Sequence, residues 1–215
     1  GKRQAPTFDV ITPGVAKHEE EIVLAPGAEP AADPNLVLRV AVAAAEFGLP
    51  IAPGTLRNLK KCPIGDRNWT DESRELFIRL LASGPALLNV WEDIDFIDVP
   101  GKLIPEWLGV RNRPSASAAH RYTIDRHMVE VVTRLGRETP SGGRYDDRHY
   151  EALLLAGILH DIGKRPGVAN HAAEGARHAT VVVERMGFDR DIVRWVTLLV
   201  REHLTLSEFA TGRNP

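Results

Sequence analysis

Eight histidines occur in the 215-residue chain, and six of them fall between positions 120 and 178. One, His160, is followed at once by Asp161, and the pair comes straight after the apolar run ALLLAGIL and just before Gly163. An imidazole and a carboxylate set side by side at the end of a buried helix are costly unless something neutralises them. A divalent cation does so, and both side chains are good ligands for one. A bare His-Asp pair also has an ordinary reading, a salt-bridged pair at a frayed helix end. The surroundings favour the metal. His127 lies on the preceding helical stretch, His171 opens the next one with Gly175 a turn later, and His203 follows the apolar run WVTLLV. Four consecutive helices each bring a histidine near one end, as helical bundles do when they build metal sites in their cores.

The segments that must position these residues read as helices. Thr123 precedes IDRHMVEVVTRLGRE, with Met128, Val131, Val132 and Leu135 at helical spacing. A polar stretch, PSGGRYDD, separates it from RHYEALLLAGILHD, which is apolar on nearly all sides and is expected to be buried. The loop GKRPGVAN leads to a helix opened by Asn170 and closed by Gly187, and Asp191–Leu204 is expected as the last helix. Further upstream, LVLRVAVAAAEFG ends at Gly48, a natural C-cap, and TLRNLKK is a short second piece. Asp71 is expected to cap DESRELFIRLLASG, and Pro85–Asp93 continues as another helix. Phe96 to Pro114, broken by Pro100, Gly101, Pro105 and Gly109, reads as a connection.

The first 34 residues differ. Pro6, Pro13, Gly14, Pro26, Gly27, Pro30 and Pro34 break every helix, and two β-prone pieces, Phe8–Ile11 and Glu21–Leu24, suggest a small hairpin. This segment reads as an extended arm or the edge of a neighbouring domain. The expected organisation is an all-α chain: an arm over 1–34, a helical linker region over 35–114, and the histidine-bearing helical bundle over 115–215.

Composition narrows the partners. With 27 basic and 29 acidic residues the net charge is −2, so neither non-specific nucleic-acid binding nor an anionic membrane surface is expected. Cys62 is the single cysteine, which rules out an intramolecular disulfide and a cysteine-based zinc cluster and fits a reducing cytosol. The N-terminal stretch has no apolar signal run, and a cytoplasmic location is expected. There is no internal repeat, dinucleotide fingerprint or phosphate-cradling glycine loop.

The ordered set His127, then HDIGK at 160–164, then His171 with Gly175, then His203, resembles the HD phosphohydrolase superfamily. More narrowly, PEWLGVRNRP at 105–114, HRYTIDRH at 120–127 and LVREHL at 199–204 resemble the central HD domain of the bifunctional uridylyltransferase/uridylyl-removing enzymes, from about Asn35 to the C-terminus. The resemblance implies that His127, His160 and Asp161 are core metal ligands and that His171 and His203 hold a second metal. It implies one or two divalent ions, Mn, Fe, Mg, Co or Zn, which activate water for attack on phosphorus. The implied substrate is a nucleotidyl-tyrosine diester on the nitrogen-regulatory PII protein, and the implied product is UMP or AMP. The arm then reads as a remnant of a preceding nucleotidyltransferase domain. The superfamily's further downstream Asp has no counterpart after Asp191, so the HD domain is expected to be C-terminally truncated.

Lys164 is placed to hold a phosphate oxygen, or to be a solvated helix-end lysine. His120, seven residues before His127, is a candidate substrate or supporting residue, and His160 and Asp161 are candidate catalytic groups as well as ligands. His178, His18 and His149 read as partly exposed or surface residues, and Trp91, Trp107 and Trp195 as packing anchors. Two other functions stay open at this point: an HD hydrolase of a small nucleotide, and a non-catalytic HD module.

Overall fold

The computed structural model describes residues 7–65, 69–114, 122–136 and 147–205. It divides into two compact units, Gly1–Leu103 and Ile104–Pro215. Helices dominate both among the described residues, as the all-α expectation requires, and one small sheet sits near the start. No helix among the described residues is long and apolar enough to cross a membrane.

In the first unit the sheet is three-stranded and antiparallel: β1 (Asp9–Thr12), β2 (Val15–His18) and β3 (Glu21–Leu24), in that spatial order. The expected hairpin between the first and last pieces is therefore corrected. VAKH inserts between them, with Gly14 turning the chain at φ 78°. Val15, Ala16 and Ile22 are fully buried, so the segment has a core of its own. It packs on α1 (Leu36–Phe47), which is buried from Leu36 through Ala45 and ends at Gly48 in the left-handed conformation. The buried Arg39 guanidinium donates to the Pro13 carbonyl and pairs with Asp33, fastening the β1–β2 turn to that helix. The short α2 (Pro53–Leu59) follows, then α3 (Asp71–Leu81). The cap of α3 is Thr70 rather than Asp71: Thr70 and Ser73 form a reciprocal capping box, and Asp71 is the first helical residue. Next come α4 (Ala86–Phe96) and α5 (Val99–Leu103), so part of the expected connection is helical.

The second unit begins with a 3-10 turn, Pro105–Gly109, and contains α6 (Ile124–Leu135), α7 (Asp147–Leu159), α8 (His171–Arg185) and α9 (Arg190–Arg201). The apolar α7 is the centre, as its composition predicts: Leu154, Leu155, Ile158 and Leu159 are fully buried. Each contributes roughly 1.5–3 kcal/mol by leaving water. α7 packs against both α6 and α9, and α8 packs against α9. α9 buries Ile192, Val196 and Val200, one residue per turn, and is capped by Asp189, two residues before the expected start. It stops at Arg201, so His203 sits in the turn beyond the helix rather than on it. The expected loop at 140–147 lies, but for Asp147, outside the described residues.

Candidate metal centre

Asp161 sits in the turn after α7, and its side chain is 2% exposed. Its two carboxylate oxygens face different partners. Oδ2 lies 3.5 Å from His160 Nε2 and 4.0 Å from His127 Nε2. Oδ1 lies 3.4 Å from His203 Nε2 and 3.9 Å from His171 Nε2. Two donor sets result, His127–His160–Asp161 and Asp161–His171–His203; within each, the donor atoms lie within 4.8 Å of one another. All five residues read as ligands from sequence are thus brought together on one carboxylate.

The local chain explains the aim of the rings. His160 Nδ1 is 2.8 Å from the Gly157 carbonyl oxygen, and His203 Nδ1 is 2.6 Å from that of Val200. A carbonyl only accepts, so each Nδ1 carries a proton, and in the neutral imidazole each Nε2 presents a lone pair to the centre. Asp161 Oδ1, His171 Nε2 and His203 Nε2 are buried without a well-directed hydrogen bond. Buried polar atoms are normally paired, so convergent unpaired acceptors fit a divalent cation held by nitrogen and oxygen.

The backbone around the pair is tight. A Cβ on Gly163 would lie 2.3 Å from Gly175 N and 2.4 Å from His171 O, so only glycine lets the post-α7 turn rest on the start of α8. Asn170 caps α8 by accepting from Ala173 N, which fixes His171 as its first residue. Thr123 stands at the cap position of α6, but its side chain makes no capping bond there. Asp125, nearly buried one turn before Met128, accepts instead from the backbone N–H of Asn112, whose φ is 56°.

Charge follows geometry. Burial alone would raise the Asp161 carboxyl, but His203, His160 and Lys164 around it hold it well below the usual carboxylate range. Burial drives His160 down to about 4, so it is neutral and fit to ligate at neutral pH. Burial also lowers His171. For His203 burial is outweighed by Asp161 and the Val200 carbonyl, and its pKa rises. Lys164 Nζ is 2.8 Å from Asp161 Oδ2, so this lysine is bound at the centre and is not a freely solvated helix end.

Among the other candidates, His178 stands apart from the cluster, 3.0 Å from Glu174, and His149 stacks on Trp195 at the surface. His120 lies outside the described residues. Sequence reasoning missed the two carbonyls, which no residue type advertises. It also missed Leu153 and Leu199, which line a cleft beside the histidines. Leu199 carries a signal in retrospect, being an apolar residue off the buried Ile192–Val196–Val200 stripe.

A helical bundle that delivers His, His-Asp, His and His from successive elements to one shared carboxylate is an HD domain. No family model matches the chain. Among curated proteins it is similar to the bifunctional uridylyltransferase/uridylyl-removing enzyme of Streptomyces coelicolor, 39% identical over 207 residues that cover 95% of this chain and 24% of that protein. The enzyme of the same name from Mycobacterium tuberculosis is 39% identical over 202 residues, covering 94% and 24%. That from Corynebacterium glutamicum is 32% identical over 186 residues, covering 85% and 26%. Along nearly its whole length the chain is homologous to a segment of these enzymes, and it spans about a quarter of the length of the curated relatives it matches.

Proposed function

We propose that this chain binds one or two divalent metal ions through His127, His160, Asp161, His171 and His203, and hydrolyses a nucleotidyl-tyrosine phosphodiester on a PII signalling protein. The observation that carries the reading is the division of Asp161: each carboxylate oxygen faces its own pair of imidazoles. A carboxylate divided in this way would suit a pair of cations, one held by each donor set. The name of the relatives, uridylyl-removing enzyme, supports the substrate class and makes UMP the first product to look for, with AMP the alternative.

A divalent cation bound here supplies Lewis acidity, acidifying water and neutralising charge on phosphoryl oxygens. The chain's own groups prepare the place. Gly157 and Val200 hold the His160 and His203 rings with Nε2 toward the centre, and Asp161 stays ionised although buried. Lys164, now on Asp161 Oδ2, is within reach of a phosphoryl oxygen entering beside that carboxylate and would hold it as a point charge. The departing tyrosine oxygen has an ordinary pKa of about 10, so it leaves with little acid assistance. His120 is retained as a substrate-side candidate in the segment leading to His127.

The test is metal analysis of chelator-free protein, wild type beside Asp161→Ala, each then incubated with uridylylated and adenylylated PII. Metal and release of a nucleoside monophosphate in the wild type, both lost in the variant, is the expected result. Metal without release from either PII form, but with turnover of a small nucleotide, would move the reading to a nucleotide hydrolase.

A further inference from the structure

Within the second unit, an open cleft of about 390 Å³ between α6, α7 and α9 is lined in part by the His127, His160 and His203 imidazoles. Away from those rings its wall is aliphatic: Val131 and Leu135 from α6, Leu153 and Ala156 from α7, Leu199 from α9. No charged side chain lines it among the described residues. Val131 and Leu135 belong by spacing to the apolar stripe of α6, yet both are only half-buried, and Leu199 is 40% exposed. These residues are not spent on the core; they face the cleft.

We propose that the cleft is the leaving-group subsite and receives an uncharged aryl ring, the ring that carries the phosphoryl-bound oxygen of an aryl phosphodiester. The proposal rests on the hydrolase reading above and deepens it by saying which half of the substrate lies where. Three occupants can be compared. A phosphate or other anion would find no cation in the wall. A nucleobase would bury ring donors and acceptors against aliphatic carbon, and each group left unpaired costs about 1–3 kcal/mol. An aryl ring has an apolar body and a single polar atom, and the cleft matches it in kind, its polar side chains among the described residues being the three imidazoles and the rest of its wall aliphatic. Its volume lies in the range of roughly 300–1,000 Å³ usual for small-molecule sites. With the ring so placed, the scissile oxygen lies beside His127, His160 and His203, and the nucleotidyl half must extend away from the cleft.

The experiment uses the whole chain with isotope-labelled leucine methyls, titrated separately with phenol and with uridine, both uncharged. Phenol is expected to shift the methyls of Leu135, Leu153 and Leu199 saturably, and uridine to leave them in place. Leu199→Asn, at a partly exposed position that tolerates polarity, should weaken phenol binding about tenfold, the order expected from losing one buried aliphatic contact. Leu199→Met should restore it. In turnover of bis-para-nitrophenyl phosphate, Leu199→Asn should raise KM by a similar factor with kcat and metal content unchanged. Shifts with uridine but not phenol, or phenol binding indifferent to Leu199→Asn, would overturn the proposal. Phenol shifts at these methyls in a wild-type protein that turns over no diester would uphold the subsite and defeat the hydrolase reading instead.

Discussion

Gly163 rests on Gly175 so closely that a methyl group on the former would come within 2.3 Å of the backbone nitrogen of the latter. The turn carrying His160 and Asp161 is thereby held against the helix that carries His171. Backbone cannot yield as a flexible side chain can. Gly163→Ala is therefore expected to cost about 1–3 kcal/mol, the usual range for overpacking, and to weaken metal binding as Asp161 moves off His171. Gly175→Ala is the contrast. Its Cβ would meet Val200 Cγ1 at 3.3 Å and His160 O at 3.4 Å, contacts that small adjustments relieve. Thermal unfolding and metal titration of the two variants should show a large effect at 163 and a small one at 175; equal effects would contradict the asymmetry.

Cys62 offers a probe of the first unit. It is 4% exposed, and burial, with Asp33 nearby, pushes its thiol up to about 11. Because the thiolate is the nucleophile, the native protein should react with iodoacetamide far more slowly than the unfolded chain at neutral pH. The ratio of the two rates, followed by mass spectrometry, reports opening of the unit that contains α1. Comparable rates in native and unfolded protein would mean that Cys62 is not held as described.

Much of this molecule was legible in its sequence, and the reasons differ by element. α7 announced itself because a helix apolar all round has nowhere to go but the centre. The five candidate ligands could be picked out because imidazole and carboxylate near helix ends recur in order, and the fold brings these five side chains together. β2 was not, since VAKH is too short to show a period and its pairing depends on the Gly14 turn. The cap of α3 was misplaced by one residue because Thr70 and Asp71 are both good caps, and only the reciprocal bond to Ser73 decides between them. The division of Asp161 between two imidazole pairs is a fact of three dimensions that no spacing encodes.

Glu106 and Arg185 give the pH dependence that can be tested apart from the metal. Arg185 Nη1 and Nη2 donate to the two Glu106 oxygens at 2.9 and 2.7 Å, tying the Pro105–Gly109 turn to α8. Burial would raise the Glu106 carboxyl, but the Arg185 bonds and charge outweigh it, and its pKa is lowered in the fold. A carboxyl depressed on folding adds stability that is fully present above its unfolded value of about 4.3 and is lost as pH falls through the folded value. Denaturant unfolding should accordingly lose stability from about pH 5 downward, and Glu106→Gln should flatten that part of the curve while lowering the neutral-pH plateau. A variant whose curve runs parallel to the wild type would remove Glu106 from the account.

The two donor sets make a stoichiometric prediction. His127 belongs only to the set on Asp161 Oδ2, and His171 only to the set on Oδ1, whereas Asp161 belongs to both. If each set holds one cation, the wild type binds two. His127→Ala and His171→Ala should each retain about one ion, and Asp161→Ala should retain none, since the shared carboxylate supplies the anionic ligand to both sets. Removing a ligand also leaves its partners to be satisfied by water, so circular dichroism of each variant must first show an intact helical bundle. Elemental analysis after gel filtration then counts the ions. A single ion in the wild type, lost equally with His127 and His171, would mean one centre using both faces of Asp161. Retention of both ions by Asp161→Ala would mean that the imidazoles hold metal without it, and the carboxylate would lose its place as the bridge.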